Sequence, residues 1–288
     1  MPYSVIHRKM HTTRPDFAMS QPIETITSTS NTLVKTLKSL ERKKGRQETG
    51  LFLAEGARLV EQGLERGWQA ETLMIAATMA DRPHLAALAA RAEASGARVA
   101  LAAENLMSRI THKDNAQSVI AAFRQKSTPL EALAAPGSGI WIALYEVRDP
   151  GNLGTILRTA DCAGARGVIL LETCCDPYSF EAVRASMGSI FDMPFAQASF
   201  AAFQAWRTEN TLSLTAASVN GTVRHDKAAY GARSAIIMGN EQAGLPAEIE
   251  AQCDTLALIP MRGGADSLNL AQATAIMTYE AWRQGDFR

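Results

Sequence analysis

The chain has 288 residues, and its 29 Lys and Arg are balanced by 29 Asp and Glu, for a formal net charge of zero. That length admits two modest domains or one large one, each able to bury a core, and the balance argues against a protein that coats nucleic acid by bulk charge while leaving room for a local basic patch. With 47% hydrophobic and 20% charged residues the composition is that of a soluble globular protein, and no apolar run approaches the roughly 20 residues of a membrane span.

The opening MPYSVIHRKMHTTRPDF lacks an apolar h-region and does not read as a secretory signal. It is basic and poor in acids, which also suits a transit peptide; residues 1–30 are expected to form a flexible arm, with Met19 as an alternative start. NTLVKTLKSLERKK, residues 31–44, predicts one helix capped by Asn31 with Leu33, Leu37 and Leu40 on a single face. Then come a strand in GLFLAEG, a helix in ARLVEQGLERG closed by Gly67, and a strand in TLMIAAT. RPHLAALAARAEASG is a helix with Pro83 near its start and Gly96 past its end, and RVALA and SVIAAF are short strands. Strands alternating with helices predict a compact α/β domain over residues 31–126. STPLEALAAPGSG, residues 127–139, breaks the periodicity at Pro129, Pro136, Gly137 and Gly139 and is expected to be a linker.

From residue 140 the strands grow longer and more apolar: GIWIALYEV, GVILLE, TLSLTAAS, SAIIMG and TLALIP, with a helix in GNLGTILRTADCAG and another starting near Ser267. Such strands predict a parallel sheet covered on both faces. In the closing helix Leu268, Ala271, Ala275, Tyr279 and Trp282 are spaced as a buried stripe. Cys162, Cys174, Cys175 and Cys253 form no CxxC pair and have no His at ligand spacing, so they are expected to be reduced thiols of a cytoplasmic protein, with no metal site.

Three segments join a strand end to a loop of small and polar residues, where open α/β sheets place their ligands. In VRDPGNLGTILRTADCAGA, Asp149-Pro150-Gly151-Asn152 is a strong turn, Gly154 suits a close backbone approach, and Arg158 stands among Ile156, Leu157 and Ala160. In IIMGNEQAGL, Gly239 fits a place where backbone touches a ligand, and Glu241 is either a helix N-terminal acid or the partner of a cation. In LIPMRGGADSLNLAQATAIM the strand passes Gly263-Gly264 into a helix for which Asp266 or Ser267 is a plausible N-cap; capping leaves Asn269 unexplained. A dinucleotide-binding G-x-G-x-x-G is absent.

Together and in this order, these segments resemble the SpoU family of RNA 2′-O-methyltransferases, within the SPOUT superfamily. The likeness is carried by N-x-G-x-x-x-R from Asn152 to Arg158, GNE-x-x-GL from Gly239 to Leu245, IPM with SLN, and VRASMGSIFDMP, and it spans about Asn31 to Gln284. The resemblance implies an α/β C-terminal domain, residues 140–288, with a deep trefoil knot, which periodicity would never predict. It implies S-adenosylmethionine as cofactor, with S-adenosylhomocysteine as product, held around Met238, Gly239, Asn240, Gly244, Leu258, Ile259, Met261, Ser267 and Leu268. It further implies a homodimer formed through that domain, and Asn152, Arg158, Glu241, Ser267 and Asn269 as the catalytic set. In that set Arg158 activates the ribose hydroxyl, either as a base or, better suited to a pKa above about 12, by polarising it.

The first half contributes a basic cluster, Lys35, Lys38, Arg42, Lys43, Lys44 and Arg46, able to engage RNA phosphates. Ser39, Arg46, Phe52, Glu55 and Gly56 resemble the ribosomal-protein-like RNA-binding domain that precedes many SpoU catalytic domains. The expected substrate is therefore ribosomal RNA, with transfer RNA, or a non-catalytic RNA-binding role in ribosome assembly, as alternatives.

Overall fold

Two sheets carry the chain in a computed structural model that describes residues 23–111 and 117–287. The first contains β1 (Glu24–Ile26), β2 (Leu51–Glu55), β3 (Ala70–Ala76), β4 (Arg98–Ala102) and β5 (Val119–Arg124), in the order β1-β4-β3-β5-β2. Its β1, β4 and β3 are mutually parallel, whereas β5 runs antiparallel to both β3 and β2. The strand β1 falls inside the stretch read from sequence as an arm, and its Ile26 is buried; residues 1–22 of that arm lie outside the described residues. Helices α1 (Thr32–Ser39), α2 (Lys43–Thr49), α3 (Ala57–Glu65), α4 (Pro83–Ala94) and α5 (Glu104–Thr111) complete this half.

Asn31 caps α1 as its sequence predicts, its side chain accepting from the Leu33 N–H at 2.8 Å, and Leu33, Leu37 and Leu40 are buried. The single helix expected over residues 31–44 is instead two. The chain breaks after Ser39, and the Arg46 guanidinium takes the carbonyls set free there, donating to Leu40 O at 2.9 Å and Glu41 O at 2.8 Å. A helix that ends leaves carbonyls without intrahelical donors, and a buried arginine supplies them.

The linker expected at residues 127–139 is packed. Leu130–Leu133 forms a 3₁₀ turn with Leu130 and Leu133 buried, and the indole N–H of Trp141 donates to Leu133 O at 3.0 Å. Beyond it lies a seven-stranded sheet, parallel throughout. In chain order it contains β6 (Gly139–Tyr145), β7 (Gly167–Leu171), β8 (Phe195–Ala198), β9 (Ser213–Ala217), β10 (Val223–Arg224), β11 (Arg233–Met238) and β12 (Thr255–Leu258); in space the order is β10-β12-β9-β11-β6-β7-β8. Helices α6 (Pro150–Cys162), α7 (Phe180–Ala185), α8 (Phe200–Glu209), α9 (Ala247–Glu250) and α10 (Leu270–Gln284) cover it. The central strands β6, β7 and β11 are almost wholly buried, as their unbroken apolar character requires.

The closing helix departs from the sequence reading in two ways. It starts at Leu270, capped by Asn269 rather than by Asp266 or Ser267: Asn269 Oδ1 accepts from Ala271 N–H at 2.9 Å. Its buried face is Leu270, Ala271, Thr274, Met277, Thr278 and Ala281, so Leu268, Ile276 and Tyr279 are exposed. Two threonines on the inner face hide its true stripe from a reading by hydrophobicity; Thr274 donates its hydroxyl to Leu270 O at 2.7 Å, four residues back, which removes the cost of burying it.

The two halves share a core. Phe52, Trp68 and Phe123 pack on Tyr178 and Phe191, with Phe52 and Tyr178 ring centroids 4.7 Å apart. Polar contacts fix the seam: Trp68 Nε1 donates to Phe191 O at 2.9 Å, and Arg46 pairs with Asp176 at 2.7 Å.

Candidate active site

Three loops meet at the carboxyl edge of the parallel sheet. The β6–α6 loop is organised by Asp149, whose side chain caps α6 by accepting from Asn152 N–H at 2.6 Å. The loop after β11 delivers Glu241, whose two carboxylate oxygens accept separately from the backbone N–H groups of Arg148 (3.1 Å) and Asp149 (3.0 Å). Asn152 Nδ2 adds a third bond to Glu241 at 3.2 Å, and Asn152 Oδ1 accepts from Asn269 Nδ2 at 2.9 Å. One amide thus ties the start of α6 to the loop after β11 and to the cap of α10. Partial burial pushes the Glu241 pKa up, but the backbone N–H groups of Arg148 and Asp149 and the Asn152 amide outweigh it and hold the carboxyl below its ordinary value.

Asn240 anchors the same loop from inside. Its amide donates to Glu146 O at 2.8 Å while its Oδ1 accepts from Gln242 and Ala243 N–H, and its backbone exchanges hydrogen bonds with Gly244. This fold-back explains Gly239: a Cβ there would lie 2.3 Å from the backbone carbon of Gly244. Gly154 likewise admits no Cβ, which would lie 2.3 Å from Ala182 O, so α6 and α7 touch backbone to backbone.

Beside this network opens a cavity of about 370 Å³. Met238, Leu258, Ile259 and Leu270 give it apolar walls, and Glu241, Asp266 and Ser267 bring polar groups. The residues expected from sequence to hold a cofactor, Met238, Gly239, Asn240, Gly244, Leu258, Ile259, Met261, Ser267 and Leu268, all line it. Among the described residues no three His, Cys, Asp or Glu side chains are grouped to hold a metal ion, and no helix is long and apolar enough to cross a membrane.

Residues 139–279 match the SpoU rRNA Methylase family, and residues 31–121 match the MRM3-like substrate binding domain. The 23S rRNA (guanosine(2553)-2′-O)-methyltransferase RlmP of Bacillus subtilis is 30% identical over 88% of this chain and 97% of its own length. The chain belongs to the SpoU rRNA methylase family. Its fold superposes on the AdoMet-bound rRNA methyltransferase of Sinorhizobium meliloti with a TM-score of 0.85 at 42% identity, over 91% of this chain and 98% of that one. It superposes on the SpoU methyltransferase AviRb of Streptomyces viridochromogenes, in complex with AdoMet, with a TM-score of 0.78 at 26% identity, over 89% and 98% of the two chains.

Within this SpoU chain the expected catalytic residues divide. Asn152, Glu241 and Asn269 are joined in one network, and Ser267 lines the cavity. Arg158 lies apart: it is exposed, does not line the cavity, and its side chain has no hydrogen bond or ion pair among the described residues. Six residues of α-helix separate it from Asn152, about 9 Å along the axis and on another face. Of the basic cluster, Lys35, Arg42, Lys43 and Lys44 are exposed and Lys38 is half-buried. Arg46 is not available to RNA: it is 3% exposed, with its guanidinium held by Leu40 O, Glu41 O and Asp176. It joined the cluster by charge alone, whereas its side chain, reaching back from α2 to the carbonyls of the helix break, makes it structural. The sequence reading missed Ala217, Ser218 and Val219 of the cavity wall, at and just beyond the end of β9; their only signal is that β9 is a parallel strand whose carboxyl end must open on the same edge.

Proposed function

We propose that this SpoU protein transfers a methyl group from S-adenosylmethionine to a ribose 2′-hydroxyl of ribosomal RNA. The observation that carries the reading is the hydrogen-bonded set Glu241–Asn152–Asn269 standing beside an apolar, loop-lined cavity. The cavity suits this cofactor: Met238, Leu258, Ile259 and Leu270 offer walls for an adenine ring, and the loop backbone from Ile259 to Leu268 offers N–H and C=O groups outside the sheet. S-adenosylmethionine held there would supply an electrophilic methyl group to the ribose oxygen, its carbon–sulfur bond breaking to leave a neutral thioether while the hydroxyl proton passes to solvent water.

The chain's own residues then align and polarise. Asn152 and Asn269 hold the loops that face the ribose, and Glu241 fixes the β6–α6 loop on which Asn152 stands. Ser267 positions the substrate phosphate or Arg158. A permanently charged guanidinium stabilises the oxygen's developing negative charge better than it removes a proton, so Arg158 acts as the polarising group. Its placement away from its own cavity supports a homodimer in which Arg158 of one protomer serves the site of the other. The exposed Ile276 and Tyr279 on α10 give such a dimer an apolar surface. Residues 31–126 would select the RNA through Lys35, Lys38, Arg42, Lys43 and Lys44, with residues 140–288 as the catalytic domain. The return of β12 between β10 and β9, with α10 packed against α6, β6 and β11, supports the trefoil knot. A soluble RNA-modifying enzyme of this kind would work in the cytoplasm.

The test is methyl transfer from labelled S-adenosylmethionine to total RNA from a strain lacking the gene, followed by nuclease mapping. Label in a 2′-O-methylated nucleotide of ribosomal RNA is expected. Label confined to transfer RNA would move the substrate, and no label in any RNA would overturn the reading. Arg158→Ala is expected to lower kcat at least about 100-fold with cofactor affinity unchanged in calorimetry; near-normal methylation by this variant would remove Arg158 from the mechanism.

A further inference from the structure

A second hollow, of about 530 Å³, lies between the two halves of the molecule, within the range of about 300–1,000 Å³ typical of ligand pockets. One wall is α2, with Lys43 and Gln47; the other is the carboxyl edge of β7 and β8, with Glu172, Thr173 and Gln197. Gln125 and Lys126, at the end of β5, close the seam between them. The hollow shares no lining residue with the cofactor cavity.

Its lining carries two lysines, Lys43 and Lys126, and two acids, Glu172 and Asp176, both of which are already engaged. Asp176 is taken up by Arg46, which donates from Nε at 2.8 Å and pairs through Nη2 at 2.7 Å. Glu172 accepts from the Phe200 N–H at the start of α8 at 2.7 Å. Lys43 and Lys126 have no ion pair among the described residues, and the Lys126 ammonium stands 4.2 Å from the centre of the Trp68 ring. The side-chain amides of Gln47 and Gln197 are exposed and have no hydrogen bond among the described residues, and Gln125 spends its Nε2 on Leu51 O and Arg46 O, which leaves Oε1 open. Amides that both donate and accept match the edges of unpaired bases, and ammonium groups without an ion pair match phosphates.

The hollow lies close to the β6–α6 loop. It opens on the same sheet edge as the cofactor cavity, and β11, which borders that cavity, is two strand spacings from β7, about 10 Å. Its floor is bonded to the reaction loop, because Cys175 N–H donates to Val147 O at 2.7 Å, one residue before Arg148. Neighbouring nucleotides of one RNA strand cover that span. We propose that this interdomain hollow is a second RNA subsite, which takes an unpaired nucleotide flanking the methylated one, with Lys43 and Lys126 on its phosphates and Gln47, Gln125 and Gln197 on its base edge. The proposal rests on the RNA reading above and adds where the strand runs.

The test measures binding of a short, fluorescently labelled, single-stranded RNA of mixed sequence to the full-length protein by anisotropy across a salt series. Each phosphate contact on single-stranded RNA contributes about 0.7 to the slope of log K against log salt, so Lys43→Gln/Lys126→Gln is expected to flatten it by about 1.4. Lys227→Gln, an exposed lysine beyond the opposite edge strand β10, is the control and should leave the slope unchanged. Gln47→Leu/Gln197→Leu should keep the slope and narrow the difference in affinity among oligo-A, oligo-C and oligo-U. With ribosomal RNA as methyl acceptor, the lysine variant should raise KM about tenfold at unchanged kcat. An unchanged slope and KM in a lysine variant that still binds S-adenosylmethionine normally in calorimetry would overturn the subsite. If the slope flattens but the wild-type protein methylates no RNA, the subsite stands and the proposed reaction falls.

Discussion

The two hollows on the carboxyl edge of the parallel sheet are built on opposite plans. The cavity proposed for the cofactor is lined by loops whose residues lie within Ala217–Ala273 and whose geometry is set by backbone: Gly239 against Gly244, Asn240 folded over its own turn, Glu241 holding two main-chain N–H groups. The interdomain hollow is lined by long side chains drawn from residues 43–197 and exists only because the two halves are pinned together. Backbone-built sites hold one rigid ligand with little freedom to lose on binding, whereas side-chain-built sites adapt and lean on charge. If the comparison is sound, each hollow fails for its own reason.

The largest effect is expected at the pin. Arg46 and Asp176 form a pair whose side chains are 4% and 16% exposed, and removing one partner of such a pair costs about 3–5 kcal/mol because the other charge is left buried alone. Arg46→Ala also strips the donors from Leu40 O and Glu41 O, so urea unfolding should show a loss in that range. The double change Arg46→Met/Asp176→Leu should recover part of the stability but not the affinity for single-stranded RNA. A small loss for Arg46→Ala alone would mean that the aromatic seam, not the ion pair, holds the hollow open.

At the cofactor cavity the next effect is expected from Gly239→Val. With a Cβ 2.3 Å from the Gly244 backbone the loop must move, and a displacement of about an ångström at a positioned site can cost on the order of 100-fold. Methyl transfer should fall by that factor and calorimetry should show weakened cofactor binding, while RNA anisotropy stays as in wild type. A matching drop in RNA affinity would show that the two hollows are not independent.

The same contrast decides what the sequence reveals. The residues that line the first cavity sit in short motifs at strand ends, so that Gly239, Leu258 and Ser267 share one hollow was legible from composition of the turn and from resemblance. The interdomain hollow could not: Lys43, Lys126 and Gln197 are brought together only by packing of Phe52 and Trp68 on Tyr178 and Phe191, which no local pattern encodes. The sheet of long apolar strands was legible for the reason that it is buried on both faces. The face of α10 was not, because Thr274 and Thr278 are polar by scale and buried in fact. Charge misled at Arg46, where counting basic residues could not distinguish a buried arginine that satisfies loose carbonyls from its exposed neighbours. Asn269 was noticed for being out of place on an apolar face; its reason is a double one, as cap of α10 and as donor to Asn152.

That double role gives a smaller expected effect. Asn269→Ala loses the cap, worth about 1 kcal/mol, together with the bond to Asn152, and should lower both stability and methyl transfer. Asn269→Ser keeps an oxygen for the Ala271 N–H but is too short and has too few donors to replace the Asn152 contact. It should restore most of the stability while methyl transfer remains reduced. Equal recovery of both would reduce Asn269 to a helix cap.

The last expectation is silent at neutral pH. Glu241 is held below its ordinary carboxylate pKa by the N–H groups of Arg148 and Asp149 and by Asn152, and such a group favours the folded loop in its ionised form. Its contribution is therefore complete above the unfolded value of about 4.3 and is lost as pH falls through the lower folded value. Glu241→Gln cannot accept with both of its terminal atoms, so it lacks this contribution at every pH. Stability of wild type minus that of Glu241→Gln, measured by urea unfolding, should be flat from about pH 8 to 6 and shrink steadily in acid. RNA binding at the interdomain hollow has no such link to Glu241 and should not follow the same curve. A stability difference that stayed constant into acid would mean that Glu241 holds the β6–α6 loop by shape rather than charge, and the backbone-built site would then owe nothing to ionisation.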